Sequence, residues 1–270
     1  MPSPAMNAAA ASSSVVVPMP RVLTERQRRV IAHMVAAVER AESSDHPFSY
    51  FYARELFPAD FYRDILASLP EKSVYAPINI ERWRRPNGES TRDRFFLSRE
   101  ALDTLPPDLK QFWRELTEIL TSPELKQAVF RKLATDIALR FDTTPAKVAD
   151  IQAWPRCTLL RDTEGYRIKP HTDGLEKIVT MQIYLPPDES QRDIGTVLYE
   201  EDGSLVAKLT RRTLKKFKKF EFLPNTGYAF AVNNRKDKKS WHGTETLAGE
   251  VGTRNTIMNL YRGTSEEEYY

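Results

Sequence analysis

The sequence predicts an α+β fold, with a helical N-terminal half packed on a C-terminal double-stranded β-helix of the jelly-roll kind. Three observations carry this expectation. After Pro145, short β-rich runs follow at close spacing: CTLLRDT, YRIKPH, KIVTMQIYL, GTVLYE, FKKFEFL, GYAFAVN, SWHGTET and RNTIMNLYR. Turn signals at Glu164-Gly165, Pro186-Pro187, Asp202-Gly203, Pro224-Asn225 and Asn233-Asn234 separate the runs. No helix-length segment interrupts them, which favours an antiparallel barrel or jelly roll over a doubly wound parallel sheet.

The N-terminal half reads differently. Residues 22–42 form an amphipathic helix, with Thr24 as a cap and an apolar stripe at Val30, Ile31, Met34, Val35 and Val38. Residues 48–69 read as a short strand or turn followed by a helix from Pro58-Ala59-Asp60. Residues 78–97 give two extended pieces around a Pro-Asn-Gly turn. Helices follow at 107–120 and 123–140, the second opened by Ser122 at the cap and Pro123 at the first helical position. The expected organisation is a disordered tail at 1–20, a mainly helical region at 21–150 packed on the barrel, a β core at 151–264 and an acidic tail at 265–270.

Composition narrows the function. The chain has 270 residues, 40 Lys and Arg against 37 Asp and Glu, one Cys and four His. A single Cys excludes an internal disulfide framework and a multi-cysteine metal site. No apolar run is long enough for a membrane-spanning helix. The uncharged Ala- and Ser-rich leader lacks the basic start of a signal peptide, so a cytoplasmic location is expected. A net charge of +3 does not suggest a nucleic-acid binder.

The chemistry is carried by Lys169-Pro170-His171-Thr172-Asp173-Gly174. Side chains two apart on a strand leave one face, so His171 and Asp173 can share a metal. Among the remaining histidines, His33 lies on the first helix and His46 in a turn, whereas His242 lies on a late strand of the β half. His171, Asp173 and His242 make a two-histidine, one-carboxylate set, which binds one face of an octahedral Fe(II) and leaves open positions. A hairpin turning at Ala248-Gly249 would set His242 opposite Arg254, with Thr256 on the same face. A buried Arg254 requires an anion, and its guanidinium suits a carboxylate. Cys157 reads as a small buried residue and Trp241 as core packing.

These residues resemble the Fe(II)/2-oxoglutarate-dependent dioxygenase superfamily, in its prolyl-4-hydroxylase-like branch. The matching motifs are His171-Thr172-Asp173, His242, and Arg254 followed by Thr256, over roughly residues 155–263. The resemblance implies that 2-oxoglutarate, with Fe(II) and O2 as the other cofactors, is held at its distal carboxylate by Arg254. It implies further co-substrate contacts from Tyr184, Thr180 and Thr256, with Gln182 on the same strand face. At the upstream position where the family often places a Tyr, this chain has Arg161. The implied reaction hydroxylates an unactivated C–H bond and releases succinate and CO2. Related radical halogenases lack the carboxylate that Asp173 supplies, so Asp173 points to hydroxylation.

Two alternatives stand beside this reading. Lys208, Arg211, Arg212, Lys215, Lys216, Lys218 and Lys219 form a run with no acid among them, and Arg235, Lys236, Lys238 and Lys239 follow. This 208–239 strip could hold an anionic polymer on a non-catalytic barrel, or draw an anionic substrate to the barrel mouth. Arg82, Arg84, Arg85, Arg92 and Arg94 form a second basic cluster, read as a lid strand over the same mouth. The other alternative is a cupin-type metal enzyme that uses no 2-oxoglutarate. The implied partner is a small-molecule or peptide substrate, with neither membrane nor nucleic acid expected.

Overall fold

A computed structural model describes residues 22–204, 213–249 and 252–263. The expected tails at 1–20 and 265–270, and the basic residues Lys208, Arg211 and Arg212, lie outside the described residues. The chain runs α1 (Glu25–Arg40), β1 (Glu42–Ser44), β2 (Tyr50–Ala53), α2 (Ala59–Ala67), β3 (Ala76–Pro77), β4 (Arg92–Phe96) and α3 (Arg99–Leu102). It continues through α4 (Pro107–Leu120), α5 (Pro123–Lys132), α6 (Ala134–Phe141), β5 (Trp154–Asp162), β6 (Ile168–His171) and β7 (Lys177–Tyr184). β8 (Thr196–Glu201), β9 (Leu214–Lys219), β10 (Thr226–Ala231), β11 (Asn234–Arg235), β12 (Lys238–Lys239), β13 (His242–Thr244) and β14 (Arg254–Arg262) complete it. No helix among the described residues is long and apolar enough to cross a membrane.

Local chemistry sets the helix starts. Thr24 caps α1 through a reciprocal capping box with Gln27, and Val30, Ile31, Met34 and Val38 are its buried stripe. Ser122 caps α5, with Pro123 in the first turn. The helix expected over 123–140 is divided at Leu133 into α5 and α6.

The strands make an eight-stranded sheet, in the order β1-β2-β10-β7-β14-β5-β4-β3, and a four-stranded sheet, β6-β13-β8-β9. All pairings are antiparallel. Four strands of the larger sheet, β1 to β4, come from the half expected to be mainly helical, and they extend the sheet at both ends. β2 and β4 fall in the stretches expected to be extended, at 48–69 and 78–97, whereas β1 and β3 are runs of two or three residues too short to leave a pattern.

Alternation along the larger sheet separates two environments. Cys157, Leu159, Val179, Met181, Ile183, Ile257 and Tyr261 belong to one core with α1, α4 and α5, where Trp113, Leu116, Val129 and Phe130 are fully buried. Phe130 packs edge-on against Tyr261, with ring centroids 5.5 Å apart. The even-numbered residues of β5 and β14, and those of β7 from Thr180 onward, face the other way, toward the smaller sheet; a register irregularity at the start of β7 turns Lys177 to that side and leaves Ile178 in the core. An aromatic cluster of Phe48, Tyr50, Tyr52, Tyr184, Phe220, Phe222, Tyr228 and Phe230 fills one part of that inter-sheet space. A cavity of about 550 Å³ fills the rest.

Candidate metal centre

His171 ends β6 and His242 opens β13, and the two are direct partners in the smaller sheet. Between these strands Gly243 is required: a Cβ there would meet the Ile168 carbonyl oxygen at 2.7 Å. The absence of that carbon lets the strands close, with the imidazole centroids 4.3 Å apart. Asp173 follows β6, and its carboxylate lies 4.0 Å from His171 Nε2 and 3.8 Å from His242 Nε2. Among the described residues this is the one group of His, Cys, Asp and Glu able to hold a metal, with one ligand atom of each residue within 4.8 Å of the others.

The surroundings prepare the three ligands. Lys169 O lies 3.1 Å from His171 Nδ1, and Ser240 O lies 3.0 Å from His242 Nδ1. Each Nδ1 donating to a carbonyl leaves its Nε2 lone pair for a metal. Burial holds His242 neutral, lowering it to about 4, and lowers His171 for the same reason. Burial works against ionised Asp173, but His242 and Lys177 outweigh it and bring the group to about 2. Lys177 Nζ donates to one Asp173 oxygen at 2.7 Å and Thr180 Oγ1 to the other at 2.6 Å. Two neutral imidazoles and one carboxylate are a donor set that fits Fe(II).

Arg254 is 1% exposed and lines the same cavity as the triad. It does not reach that cavity through the expected hairpin. β13 pairs with β6 and β8, whereas β14 pairs with β5 and β7, so His242 and Arg254 lie on opposite sheets. The residue opposite Arg254 is Asp162. Arg254 Nη1 donates to Asp162 Oδ2 at 2.8 Å and Nε donates to Ile194 O at 3.0 Å. Its guanidinium lies over the rings of Phe222 and Tyr184, at 4.9 and 5.4 Å. Burial disfavours the Arg254 cation, but Asp162 outweighs it and raises its pKa.

On the other side of Asp162, Arg92 Nε lies 3.1 Å from Oδ1, an ion pair not aligned as a hydrogen bond. Arg92 also donates to the Tyr166 hydroxyl. Two buried guanidiniums thus share one carboxylate, and the cluster keeps a net positive charge. A buried cationic cluster beside the triad fits the distal carboxylate of a dicarboxylic co-substrate.

The other expected contacts divide. Thr180 lines the cavity, as does Gln182, whose Nε2 donates to Thr256 Oγ1 at 3.0 Å. Thr256 and Tyr184 share that sheet face but lie behind the lining, fully buried. The Tyr184 hydroxyl accepts from the Thr196 backbone N–H at 3.0 Å. Arg161 is not brought to the cavity: its guanidinium lies over Tyr75, at 5.4 Å. Alternation puts the inward position one residue on, at Asp162.

Sequence reasoning missed Asp162, Lys177 and Tyr228. Tyr228 lines the cavity and donates to Gln182 Oε1 at 2.8 Å. Lys177 was detectable four residues from Asp173, whereas Asp162 required the strand register.

The remaining histidines stand apart. His33 Nε2 lies 2.8 Å from Glu55 O, and His46 Nε2 lies 3.1 Å from Glu200. Cys157 is buried, and burial pushes its thiol up to about 12, which makes it a poor nucleophile. Trp241 donates to Glu201 at 3.1 Å.

Most of the basic strip is ion-paired where it is described. Lys215 pairs with Glu200 at 3.0 Å, Lys218 with Glu42 at 3.5 Å, and Lys216 and Lys219 with Glu245. Lys238 pairs with Asp136 at 2.6 Å and Lys239 with Glu201 at 2.8 Å. Such pairing does not favour an anionic-polymer face.

No protein-family model and no curated protein matches this sequence. Solved structures do. A prolyl-4-hydroxylase from Pseudomonas putida superposes with a TM-score of 0.50 at 12% identity, covering 86% of this chain and 99% of that one. A prolyl hydroxylase from Trichoplax adhaerens, in complex with a hypoxia inducible factor peptide fragment, gives 0.51 at 11% identity over 88% and 90%. JOX2 in complex with 2OG, Fe and JA gives 0.50 at 12% identity over 80% and 68%. At these identities the likeness is one of fold: the chain shares the fold of these two prolyl hydroxylases and of JOX2.

Proposed function

We propose that the protein is an Fe(II)- and 2-oxoglutarate-dependent oxygenase that hydroxylates an unactivated C–H bond of a small-molecule or peptide substrate. The observation that carries this reading is the convergence of His171, Asp173 and His242 within 4.8 Å, in a cavity that also exposes a buried arginine, Arg254. The two facing antiparallel sheets are read as a double-stranded β-helix. The fold shared with the hydroxylases supports that reading.

The chain's own residues prepare each part of the reaction. His171 and His242 present neutral Nε2 atoms, and Asp173 presents a carboxylate oriented by Lys177 and Thr180. Arg254 and Arg92 offer charge to an incoming carboxylate, while Asp162 keeps both guanidiniums in place in the absence of ligand. The aromatic cluster beneath them excludes water and strengthens these interactions. Iron and 2-oxoglutarate, when bound, supply O2 activation coupled to decarboxylation to succinate and CO2, with hydroxylation of a C–H bond.

The test is anaerobic addition of Fe(II) and 2-oxoglutarate, followed by a weak visible charge-transfer band, then aerobic succinate release. His242→Ala loses both signals. If neither signal forms and His242→Ala behaves as the parent, the reading fails. Signals that persist undiminished in Arg254→Ala would refute Arg254 as the holder of the co-substrate's distal carboxylate, whereas substrate turnover with no succinate release would favour metal chemistry without 2-oxoglutarate.

A further inference from the structure

The charge on the cavity wall exceeds what the metal and co-substrate require. Seven cationic side chains line the cavity against one carboxylate, Asp173. Lys177 is paired with Asp173, and Arg92 and Arg254 share Asp162. Arg82 and Arg94 also line the cavity, and among the described residues neither has a carboxylate partner. Both are supported by aromatic rings instead. Arg94 lies over Phe96 at 4.6 Å and Arg82 over Trp83 at 4.9 Å, while Arg156 shares the Phe96 ring at 4.4 Å. Stacking uses the face of a guanidinium and leaves its edge donors for a ligand, and it pre-organises the side chain.

Register places these charges relative to the metal ligands. Across β5, β14 and β7, Arg156, Leu260 and Thr180 stand in one row, and Thr180 donates to Asp173. In the next inward row Met258 is opposite Thr158, and in the row after that Arg94 is opposite Leu160. Arg156 is therefore two strand spacings from Thr180, about 10 Å, and the backbone of Arg94, three spacings across and two inward rows along, is roughly 20 Å from it. Leu160, Met258 and Leu260 line the cavity between them. A strip with cations at one end, apolar side chains in the middle and metal ligands at the other end is complementary to a particular kind of molecule.

We propose that the substrate is a small amphipathic carboxylic acid, its carboxylate held by Arg94, with Arg82 and Arg156 on the same cavity wall, and its apolar body laid over Leu160, Met258 and Leu260 toward His171 and His242. This rests on the oxygenase reading above. The cavity of about 550 Å³ suits a small molecule. The separation of charge from metal ligands places the reacting C–H bond in the apolar body, well away from the carbon beside the carboxylate. A guanidinium edge matches a planar carboxylate in two hydrogen bonds, which a neutral amide cannot reproduce.

The experiment is calorimetric titration of the full chain, with Mn(II) and 2-oxoglutarate present, using decanoate, decanamide and a capped tripeptide with a central glutamate. Decanoate is expected to bind about tenfold more tightly than decanamide. Arg94→Gln, which alters an exposed residue, should remove about that factor for decanoate and leave decanamide unchanged. Arg82→Gln, on a separate segment, should act in the same direction. Equal affinity for acid and amide, or indifference to both substitutions, would overturn the proposal. So would Arg94-dependent binding of the tripeptide without binding of decanoate, which would assign the site to peptides. Mn(II) binding followed by electron paramagnetic resonance keeps the two readings apart. Metal bound without decanoate sinks the acid site alone, and decanoate bound without metal sinks the oxygenase reading alone.

Discussion

Asp162→Asn removes a carboxylate that is 0% exposed and leaves Arg254 and Arg92, both buried, without their shared anion. The change is nearly isosteric, so it adds no cavity and isolates the electrostatic effect. Removing one partner of a buried ion pair leaves an uncompensated charge and costs about 3–5 kcal/mol. An unfolding entropy of about 2 cal/mol/K per residue gives roughly 0.5 kcal/mol per degree for a chain of this length, so the melting temperature should fall by about 6–10 °C. Differential scanning fluorimetry of the metal-loaded protein measures this directly. Succinate or 2-oxoglutarate should then stabilise the variant more than the parent, because the ligand's carboxylate replaces the missing charge; at a hundredfold excess over Kd, occupancy alone returns about 2.7 kcal/mol. A variant that melts within about 2 °C of the parent and responds equally to succinate would refute the two-arginine, one-aspartate cluster as the anion site.

Other expectations follow from packing and protonation. His242 titrates at about 4 and Asp173 at about 2, against ordinary values of 6.5 and 3.8. Both groups bind protons more readily in the unfolded chain, so stability without metal is full above about pH 6.5 and falls on acidification, first between about 6.5 and 4, then between 3.8 and 2. Urea unfolding across that range checks the sign, and His242→Gln should flatten the first decline. Gly243→Ala forces a Cβ against the Ile168 carbonyl oxygen and should cost about 1–3 kcal/mol while weakening Mn(II) binding, since it parts the strands that carry the two histidines. Trp113→Ala empties a fully buried site on the far side of the sheet and breaks the indole bond to Ser68 O; it should cost about 3–5 kcal/mol with unchanged Mn(II) affinity in the folded fraction.

What could be read from the sequence follows the range of the interactions involved. The cap at Thr24, the Ser122-Pro123 start of α5 and the alternation of KIVTMQIYL depend on neighbours within a few residues, and all three appear in the structure. His171 and Asp173 were legible for the same reason. His242 was reachable by elimination, because so few histidines exist. The partner of Arg254 was not legible. It depends on β14 pairing with β5 at a sequence separation of 92, whereas the nearest hairpin geometry pointed to His242. Arg161 shows how sharp the dependence on register is: a shift of one residue exchanges a cation outside the cavity for the carboxylate that organises it.

The mouth of the cavity was legible as charge but not as place. The strip at 208–239 is the denser cluster in sequence, yet each of its four described lysines on β9 is ion-paired, with Glu42, Glu200 or a shared Glu245 from other strands and loops. The sparser cluster at 82–94 has the consequence, because β4 joins the larger sheet between β5 and β3 and alternation turns Arg92 and Arg94 inward. Charge density along a chain therefore says little about binding until pairing is known. A lysine opposite a glutamate on an exposed strand is worth about 1 kcal/mol or less to stability and presents little net field. An arginine stacked on a ring at a cavity wall keeps its charge available to a ligand.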